Sequence, residues 1–233
     1  MKIKYFKKLG STNRYLLHKI KNNSIDEFPI CVKAEVQTDG IGRYNRHWES
    51  KKGGLYFSIA LKLNIRENFK AYPLYVSMIL HKLLVENYNI KNLKIKWPND
   101  LYYNNSKLAG VLTQNIVKGR KVFIVIGVGL NVLNNPQINS SISLNSIISD
   151  KTKINIEKIF KEFLTLFENS SFRDKKIVEY LNKNLYGKNR TKQLKINEEY
   201  RNVKICRIND DFSLIIKEKN GTIRNINIGE VMG

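Results

Sequence analysis

Two stretches of the chain place an apolar residue at every second position, and this alternation constrains the fold more than any other feature. The stretches cover residues 30–36 and 55–61. Because successive side chains of a β-strand point to opposite faces, a period of two predicts a strand in each stretch. A polar, glycine-containing loop at residues 37–52 joins them. The chain is therefore expected to build a β-sheet around these two strands.

Apolar residues with helical spacing predict four helices. The longest such segment is residues 72–88, where Pro73 suits the first turn of a helix. The run Ser11–Asn13 offers side chains that can cap a helix N-terminus, so a short helix is predicted to begin near Asn13. The two remaining predicted helices cover residues 154–167 and 175–185.

Short β-like runs make up much of the remaining sequence. The runs at residues 93–97, 107–116 and 122–128 are separated by turn-forming residues and predict a meander. After Gly187 the alternating runs become shorter and the turns more frequent, which is typical of a small β-barrel.

Length and element order together predict two domains. With 233 residues the chain can hold one full catalytic domain and a small appendage. We expect an α+β fold in which residues 1–186 form a mixed β-sheet with flanking helices, and residues 187–233 form a small β-barrel. So small a barrel is expected to rely on its neighbour for stability.

The formal net charge of +21 at pH 7 leaves two interpretations open. Clustered Lys and Arg would favour a nucleic-acid-binding surface, because binding releases counterions. Alternatively, lysine is abundant along the whole chain, as in residues 21–23 and 182–184, and the charge is spread over solvated surfaces. Neither a helix-turn-helix nor an RNA-binding signature accompanies the charge. We therefore expect no specific nucleic-acid partner, although a basic surface attracts ATP and acidic proteins.

Cysteine usage and hydropathy predict a soluble protein of a reducing compartment. Cys31 and Cys206 lie far apart in the sequence and lack metal-ligand spacing, so neither a disulfide framework nor a zinc site is expected. No stretch approaches the roughly 18 apolar residues of a membrane span. The expected location is the cytoplasm, and no membrane partner is expected.

The segment Lys96–Asp100, with the sequence KWPND, is the first candidate for chemistry. Pro98 lacks a backbone donor, and Asn99 and Asp100 favour a turn, so the preceding strand ends abruptly. A lysine ammonium held at a strand end suits phosphate oxygens, and Asp100 could orient it by hydrogen bonding. The alternative is an ordinary turn with an extended surface lysine and an N-capping aspartate.

The loop at residues 37–48 is the second candidate. Gly40 and Gly42 allow backbone amides to approach an anion, and the guanidinium groups of Arg43 and Arg46 follow them. The loop ends in a tryptophan whose ring could cover a ligand. Taken alone, the pattern also fits a basic surface loop that binds nothing.

The segment Gly127–Asn131, with the sequence GVGLN, is the third candidate. A dinucleotide-binding fingerprint fails here, because the third glycine and the following helix are missing. Its two glycines instead allow close packing against a ligand, and the Asn131 amide can both donate and accept hydrogen bonds. The three histidines form neither a ligand pair nor a nucleophile pattern, so metal-dependent hydrolysis and triad chemistry are disfavoured.

In order along the chain, these motifs resemble those of the biotin protein ligase family. The matching segments are Ser11–Asn13, residues 37–48, Lys96–Asp100, Lys107–Val111 (KLAGV), Gly127–Asn131 and the tail Gly229–Val231. KWPND followed closely by KLAG is a specific pairing. The resemblance implies a catalytic domain like that of class II aminoacyl-tRNA synthetases, followed by an SH3-like barrel. It points to the form of the family that lacks an N-terminal DNA-binding domain, since the first motif begins near Met1.

The resemblance also implies a reaction. Biotin reacts with ATP, accompanied by Mg²⁺, to give biotinyl-5′-AMP, and the biotin is then transferred to a lysine of a biotin carboxyl carrier protein domain in a biotin-dependent carboxylase. An edge-to-edge sheet homodimer is a further expectation by analogy. Two alternatives stay open: a lipoate-type protein ligase, and a nucleic-acid-binding module without catalysis.

Site residues follow from the matched motif positions. Catalysis is assigned to Lys96 and Arg43. Biotin binding is assigned to Ser11, Thr12, Asn13, Gln37, Gly40, Gly42, Lys96, Gly110, Gly127 and Gly129. Binding of ATP and the adenylate is assigned to Arg43, Arg46, Trp48, Lys96, Asn99 and Asn131. No residue is assigned to a metal ion.

Two positions depart from the family pattern. Ile41 stands where the loop commonly carries an arginine, and Asn45 stands where glycine is frequent. Loss of a guanidinium group could weaken closure of the loop over the adenylate. Retention of the intermediate is therefore the property that these departures put in question.

Overall fold

The structure is a computed structural model that describes residues 1–65, 69–137, 140–171, 176–196 and 198–233. Strands and helices are interspersed along the chain. The strands are β1 Lys2–Leu9, β2 Ile30–Gln37, β3 Leu55–Asn64, β4 Leu93–Lys96, β5 Asp100–Tyr103, β6 Ser106–Lys118, β7 Lys121–Leu130, β8 Thr191–Ile196, β9 Glu199–Ile208, β10 Leu214–Lys217, β11 Ile223–Ile226 and β12 Glu230–Val231. The helices are α1 Thr12–Lys21, α2 Tyr72–Tyr88, α3 Leu144–Ile147, α4 Ile156–Asn169 and α5 Lys176–Lys183.

The larger sheet has seven strands in the order β1-β2-β3-β7-β6-β5-β4. β1 and β2 run parallel, whereas the other neighbouring strands run antiparallel. β3 pairs with β7 along its full length, from Leu55 opposite Leu130 to Asn64 opposite Lys121. The strands predicted from the two alternating stretches are β2 and β3, so that prediction is confirmed.

Helices cover both faces of this sheet, so β2 and β3 are buried on both sides near its centre. On one face α1 packs against the strands, and Leu16 clusters with Val32. On the other face α4 packs against β3, and Phe160 and Phe163 each contact the ring of Phe57 at a centroid distance of 5.1 Å. α2 lies on the same face as α4 and contacts it.

The predicted helices are present, with small shifts at their ends. α1 begins at Thr12, and the Ser11 hydroxyl accepts a hydrogen bond from the Arg14 amide at 3.4 Å, which is the expected cap. α2 covers the predicted residues 72–88 with Pro73 in its first turn. α4 begins two residues later than predicted and extends to Asn169. In the segment predicted as the last helix, Lys175 lies outside the described residues.

Two strands were not predicted. β1 is rich in lysine, and lies at the edge of the sheet, where exposed lysines keep other strands from pairing. β5 follows the KWPND turn at once, so Asp100 begins a strand and pairs with Lys96 across a hairpin. The alternative in which Asp100 caps a helix is therefore wrong.

The second sheet contains the five strands β8 to β12, in the order β11-β10-β9-β8-β12, and its paired strands are antiparallel. It begins at Thr191, just after the predicted barrel boundary at residue 187. Within the described residues its outer strands β11 and β12 do not pair, so the barrel is open on that side. The predicted α+β class, with a mixed sheet, flanking helices and a small C-terminal β-module, is confirmed. None of the helices in the described ranges has the length and apolar character that crossing a membrane requires.

Candidate active site

A cavity of about 350 Å³ opens at one end of the larger sheet, where the start of α1, the loop at residues 37–50, the KWPND turn and the tail at Glu230 meet. Many residues predicted for the site line this cavity. They are Ser11, Thr12, Asn13, Gln37, Gly42, Arg43, Arg46, Trp48, Asn99, Gly110, Gly127 and Gly129. Further lining residues, without a predicted role, include Ile41, His47, Phe57, Asp100, Tyr102, Lys107 and Glu230.

Three predicted residues do not line the cavity. Gly40 lies at the base of the loop, where an added Cβ would collide with the Trp48 carbonyl oxygen and the Ser50 hydroxyl. Asn131 is buried, and its side-chain oxygen accepts a hydrogen bond from the Asn134 amide at 3.0 Å. Lys96 is only 3% exposed, and its ammonium contacts Tyr102 and Asp100, which do line the cavity.

One end of the cavity is formed by uncharged polar side chains around the start of α1. The Thr12 amide and hydroxyl both donate to the Gln37 side-chain oxygen, at 2.9 and 3.1 Å. The buried Ser58 hydroxyl lies 2.6 Å from the Thr12 hydroxyl and also contacts the Asn13 side chain. Asn13 in turn donates to the Gln114 side-chain oxygen at 3.2 Å. Ser58 and Gln114 were not predicted, because only the fold brings them to α1.

The two glycines of the GVGLN segment leave room for side chains from other parts of the chain. A Cβ added at Gly129 would lie 2.5 Å from the Trp48 indole, and one at Gly127 would collide with the Asn13 side chain. Both side chains can lie against β7 only because these two positions carry no side chain. The glycines therefore shape the cavity indirectly, by setting where Asn13 and Trp48 lie.

The loop at residues 37–50 forms a closed hairpin. At its base the Gln37 amide donates to the Ser50 carbonyl at 3.1 Å, and the Gln37 side chain donates to the Ser50 hydroxyl at 2.8 Å. Nearer the tip, Ile41 bridges to His47. Asn45 has a φ of 56°, in the left-handed region that asparagine tolerates better than most residues. Asn45 can therefore adopt the left-handed backbone conformation for which glycine would otherwise be favoured at this position.

Both arginines of the loop contact the C-terminal tail. Arg43 donates to the Gly229 carbonyl at 3.1 Å and to the Asn99 side-chain oxygen at 3.4 Å. Arg46 donates to a Glu230 carboxylate oxygen at 2.8 Å. Burial raises the pKa of Glu230, but the hydrogen bond and charge of Arg46 outweigh it, so the pKa lies below its ordinary value. The sequence had indicated this tail only as part of the family resemblance.

Two lysines flank Asp100 at the floor of the cavity. The Lys96 ammonium lies 4.0 Å from one carboxylate oxygen, and the Lys107 ammonium lies 2.8 Å from the other. Burial lowers the pKa of Lys96 to about 8, partly offset by the negative charge of Asp100. Lys107 faces the cavity, 5.2 Å from the Trp48 ring centroid. Lys107 begins the KLAG motif but was not among the predicted site residues.

The cavity therefore joins an uncharged polar end to a region beside an aromatic ring that holds three cations, from Arg43, Arg46 and Lys107, of which Arg46 and Lys107 pair with the carboxylates of Glu230 and Asp100. Such a region can bind phosphate groups and stack on a base. Among the residues that the structure describes, no group of three or more His, Cys, Asp or Glu side chains could hold a metal ion.

Comparison with known families agrees with this arrangement. Residues 5–131 match the Biotin/lipoate A/B protein ligase family. The chain belongs to that family. The match contains every residue predicted for the site, and the family named from the sequence motifs is confirmed. Gly229 and Glu230 lie outside the matched stretch, so this family member also draws on its second sheet to build the cavity.

Several individual relatives resemble the chain. Biotin–protein ligase 2 of Arabidopsis thaliana is 33% identical over 167 residues, which cover 65% of this chain and 49% of the relative. The human biotin–protein ligase is 30% identical over 159 residues, covering 65% of this chain and 22% of the relative. The chain thus spans no more than about half the length of these curated relatives.

Solved structures match over almost the whole chain. The biotin protein ligase of Aquifex aeolicus in complex with biotin and ATP is 25% identical, with a TM-score of 0.81 over 99% of this chain and 97% of that one. The biotin acetyl coenzyme A carboxylase synthetase of Helicobacter pylori with bound biotinylated ATP is 27% identical, with a TM-score of 0.69 over 96% and 99%. Both sheets of this chain therefore have counterparts in solved ligases.

Proposed function

We propose that this protein is a biotin protein ligase, which activates biotin with ATP and transfers it to a lysine of a biotin carboxyl carrier protein domain. One observation carries the proposal: a single cavity combines an uncharged polar end, at Thr12 and Gln37, with a cationic region beside Trp48. The polar end suits a ring that both donates and accepts hydrogen bonds. The cationic region suits a carboxylate and a nucleotide.

In the first step a carboxylate oxygen of biotin attacks the α-phosphorus of ATP, and the bond to the leaving pyrophosphate breaks. Two anionic groups approach each other, so the catalytic demand is charge stabilisation and orientation. Lys107 and Arg43 face the cavity and Lys96 contacts residues that line it, so all three can supply this stabilisation. Mg²⁺ would arrive bound to the ATP phosphates, and we assign no side chain to it.

In the second step the amine of the acceptor lysine attacks the carbonyl carbon of the mixed anhydride. The new amide forms as AMP leaves with the bonding electrons, and the amine loses a proton. The net charge of +21 favours the approach of an acidic carrier domain, because long-range attraction raises encounter rates.

The uncharged end of the cavity favours biotin over lipoate as the acid. The ureido ring of biotin carries N–H donors and a carbonyl acceptor, which can be matched by the hydroxyl and amide groups of Ser11, Thr12 and Gln37. The dithiolane ring of lipoate makes no comparable hydrogen bonds. It would leave these groups without partners, which costs affinity.

Pyrophosphate exchange and transfer assays test the proposal. We expect biotin-dependent exchange between ATP and pyrophosphate, and ATP-dependent labelling of a purified carrier domain. Lys96→Ala should reduce both rates by about 100-fold or more, because a charge-stabilising group is lost. Lys91→Ala is the matched control, since Lys91 is exposed in the turn before β4 and should leave the rates unchanged.

Three outcomes would contradict the proposed function, its substrate or its residue roles. Transfer of lipoate but not biotin would show that the substrate is lipoate. Normal rates in Lys96→Ala would remove Lys96 from its role. Strongly salt-dependent binding of DNA or RNA without biotin-dependent chemistry would instead favour a nucleic-acid-binding module.

A further inference from the structure

We propose that Tyr102 is the positioning residue for Lys96: its hydroxyl holds the lysine ammonium next to residues that line the cavity and sets the direction from which it reaches the reacting groups. This inference rests on the proposed function, because it concerns the ammonium to which charge stabilisation is assigned. Tyr102 belongs to none of the site residues that the sequence motifs indicated.

The hairpin of β4 and β5 brings the two side chains together. Lys96 pairs with Asp100 in this hairpin, and Tyr102 follows two residues later, on the same face of the sheet. The Lys96 ammonium donates a hydrogen bond of 3.0 Å to the Tyr102 hydroxyl and lies 4.3 Å from the ring centroid. The Lys96 ammonium is thereby held beside the phenol.

Tyr102 contacts both Lys96 and the cavity. Tyr102 and Asp100 line the cavity, whereas Lys96 does not. Asp100 attracts the ammonium through its charge but lies beyond hydrogen-bond distance, because its nearer oxygen is 4.0 Å away and its other oxygen contacts Lys107 at 2.8 Å. Within the described part of the chain, the phenol oxygen is the one acceptor at hydrogen-bond distance from the ammonium.

Tyr102 is itself held in place. Its ring packs against Tyr186 at a centroid distance of 5.3 Å, and the Tyr186 hydroxyl donates to the Asn105 side chain at 2.9 Å. Burial raises the pKa of Tyr102 above its ordinary value, so the hydroxyl stays neutral. A fixed, neutral phenol can accept from Lys96 across the working pH range and is pre-organised to do so.

The protonation of Lys96 provides a readout that a purely structural role would not change. The titratable groups that face its ammonium are Asp100, Lys107, Glu230, Arg46 and Tyr102. Burial lowers the pKa of the ammonium to about 8, so its charge is lost as the pH rises through that value. The hydrogen bond to Tyr102 favours the charged form. Its removal should therefore lower this pKa further and move the loss of activity to a lower pH.

The experiment compares the wild-type protein with Tyr102→Phe and Tyr103→Phe in biotin-dependent pyrophosphate exchange from about pH 6 to about pH 10. Wild-type kcat/KM for biotin should fall as the pH rises through about 8, because this ratio reports pKa values of the free protein. Tyr102→Phe keeps the ring and loses the acceptor, so kcat should drop by about 10-fold with little change in the KM for biotin. Its alkaline limb should move down by about half a pH unit or more.

Tyr103→Phe is the matched control, because Tyr103 packs partly buried against the core and does not line the cavity. It should retain the wild-type profile, and thermal melting shows whether both variants fold. An unshifted alkaline limb in a folded Tyr102→Phe protein would overturn the inference, whatever its kcat. Absence of exchange in the wild-type protein would instead contradict the proposed function, so the two failures are distinguishable.

Discussion

At the scale of single residues, the site depends on where side chains are missing. Gly129 lies under the Trp48 indole, which forms part of the cavity wall beside the cations. Because the indole lies against the backbone, its plane is fixed by contact with β7. The position of the ring therefore depends on the absence of a Cβ atom at residue 129.

Adding that atom gives the first prediction at this scale. In Gly129→Ala the new Cβ would lie 2.5 Å from the indole, so Trp48 must move into the cavity. The KM for ATP should rise by about 10-fold, equivalent to about 1.4 kcal/mol of lost binding, and the tryptophan fluorescence should change. Lys121→Ala is the control, because Lys121 is exposed at the other end of β7. An unchanged KM for ATP would show that the ring does not contact the nucleotide.

At the scale of elements, the core is tied together by a buried histidine on α2. One His81 ring nitrogen lies 2.9 Å from the Tyr180 hydroxyl on α5, and the other lies 3.0 Å from the Leu93 carbonyl on β4. Both contacts fit a neutral ring that donates to Leu93 and accepts from Tyr180. Burial lowers the pKa of His81 to about 4, so it stays neutral in the folded protein.

This histidine predicts a loss of stability in mild acid. The pKa of His81 is depressed in the folded state relative to about 6.5 in the unfolded chain, so protons bind preferentially to the unfolded chain between these values. The free energy of unfolding should fall by up to about 3 kcal/mol as the pH drops from 6.5 to about 4. Urea denaturation at a series of pH values measures this free energy of unfolding. His81→Gln should flatten the dependence, whereas a change at the exposed His18 should not.

How far the sequence predicts the elements depends on burial. β2, β3 and α2 carry periodic apolar residues because buried faces require them, and they were predictable. β1 was not, because an edge strand rich in lysine lacks such a period. The site residues also fall into a predictable group and an unpredictable one. Motif positions such as Gly129 and Arg43 could be named from sequence, whereas Tyr102 and Glu230 acquire partners only through tertiary packing.

At the scale of the whole molecule, the two sheets share one hydrophobic core. Leu194, Val203 and Ile205 of the second sheet belong to the same cluster of buried residues as Leu83 and Phe163, which lie on α2 and α4 beside the larger sheet. Hydrogen bonds reinforce this junction. The Asn182 side chain on α5 both donates to and accepts from the backbone of Ile208, at 2.9 and 2.7 Å. These contacts support the expectation that the small barrel relies on its neighbour for stability.

A shared core predicts that the protein unfolds as one unit. Calorimetry should show a single transition, and circular dichroism should follow it. Asn182→Ala removes both hydrogen bonds to Ile208 and should lower the Tm of that transition by roughly 5 °C without splitting it. Asn115→Ala, at an exposed position of β6, is the control. Two well-separated transitions would show that the second sheet melts independently.

The contacts between the loop and the tail have a consequence for how tightly a nucleotide can be held. In the structure Arg43 donates to the Gly229 carbonyl and Arg46 to the Glu230 carboxylate. A phosphate that reaches these guanidinium groups has to displace their existing partners. The lost hydrogen bonds offset part of the favourable binding energy of the phosphate. The affinity for an anion is then the difference between two pairings. When a nucleotide dissociates, both arginines can pair with the tail again. This favours release of the nucleotide over tight binding.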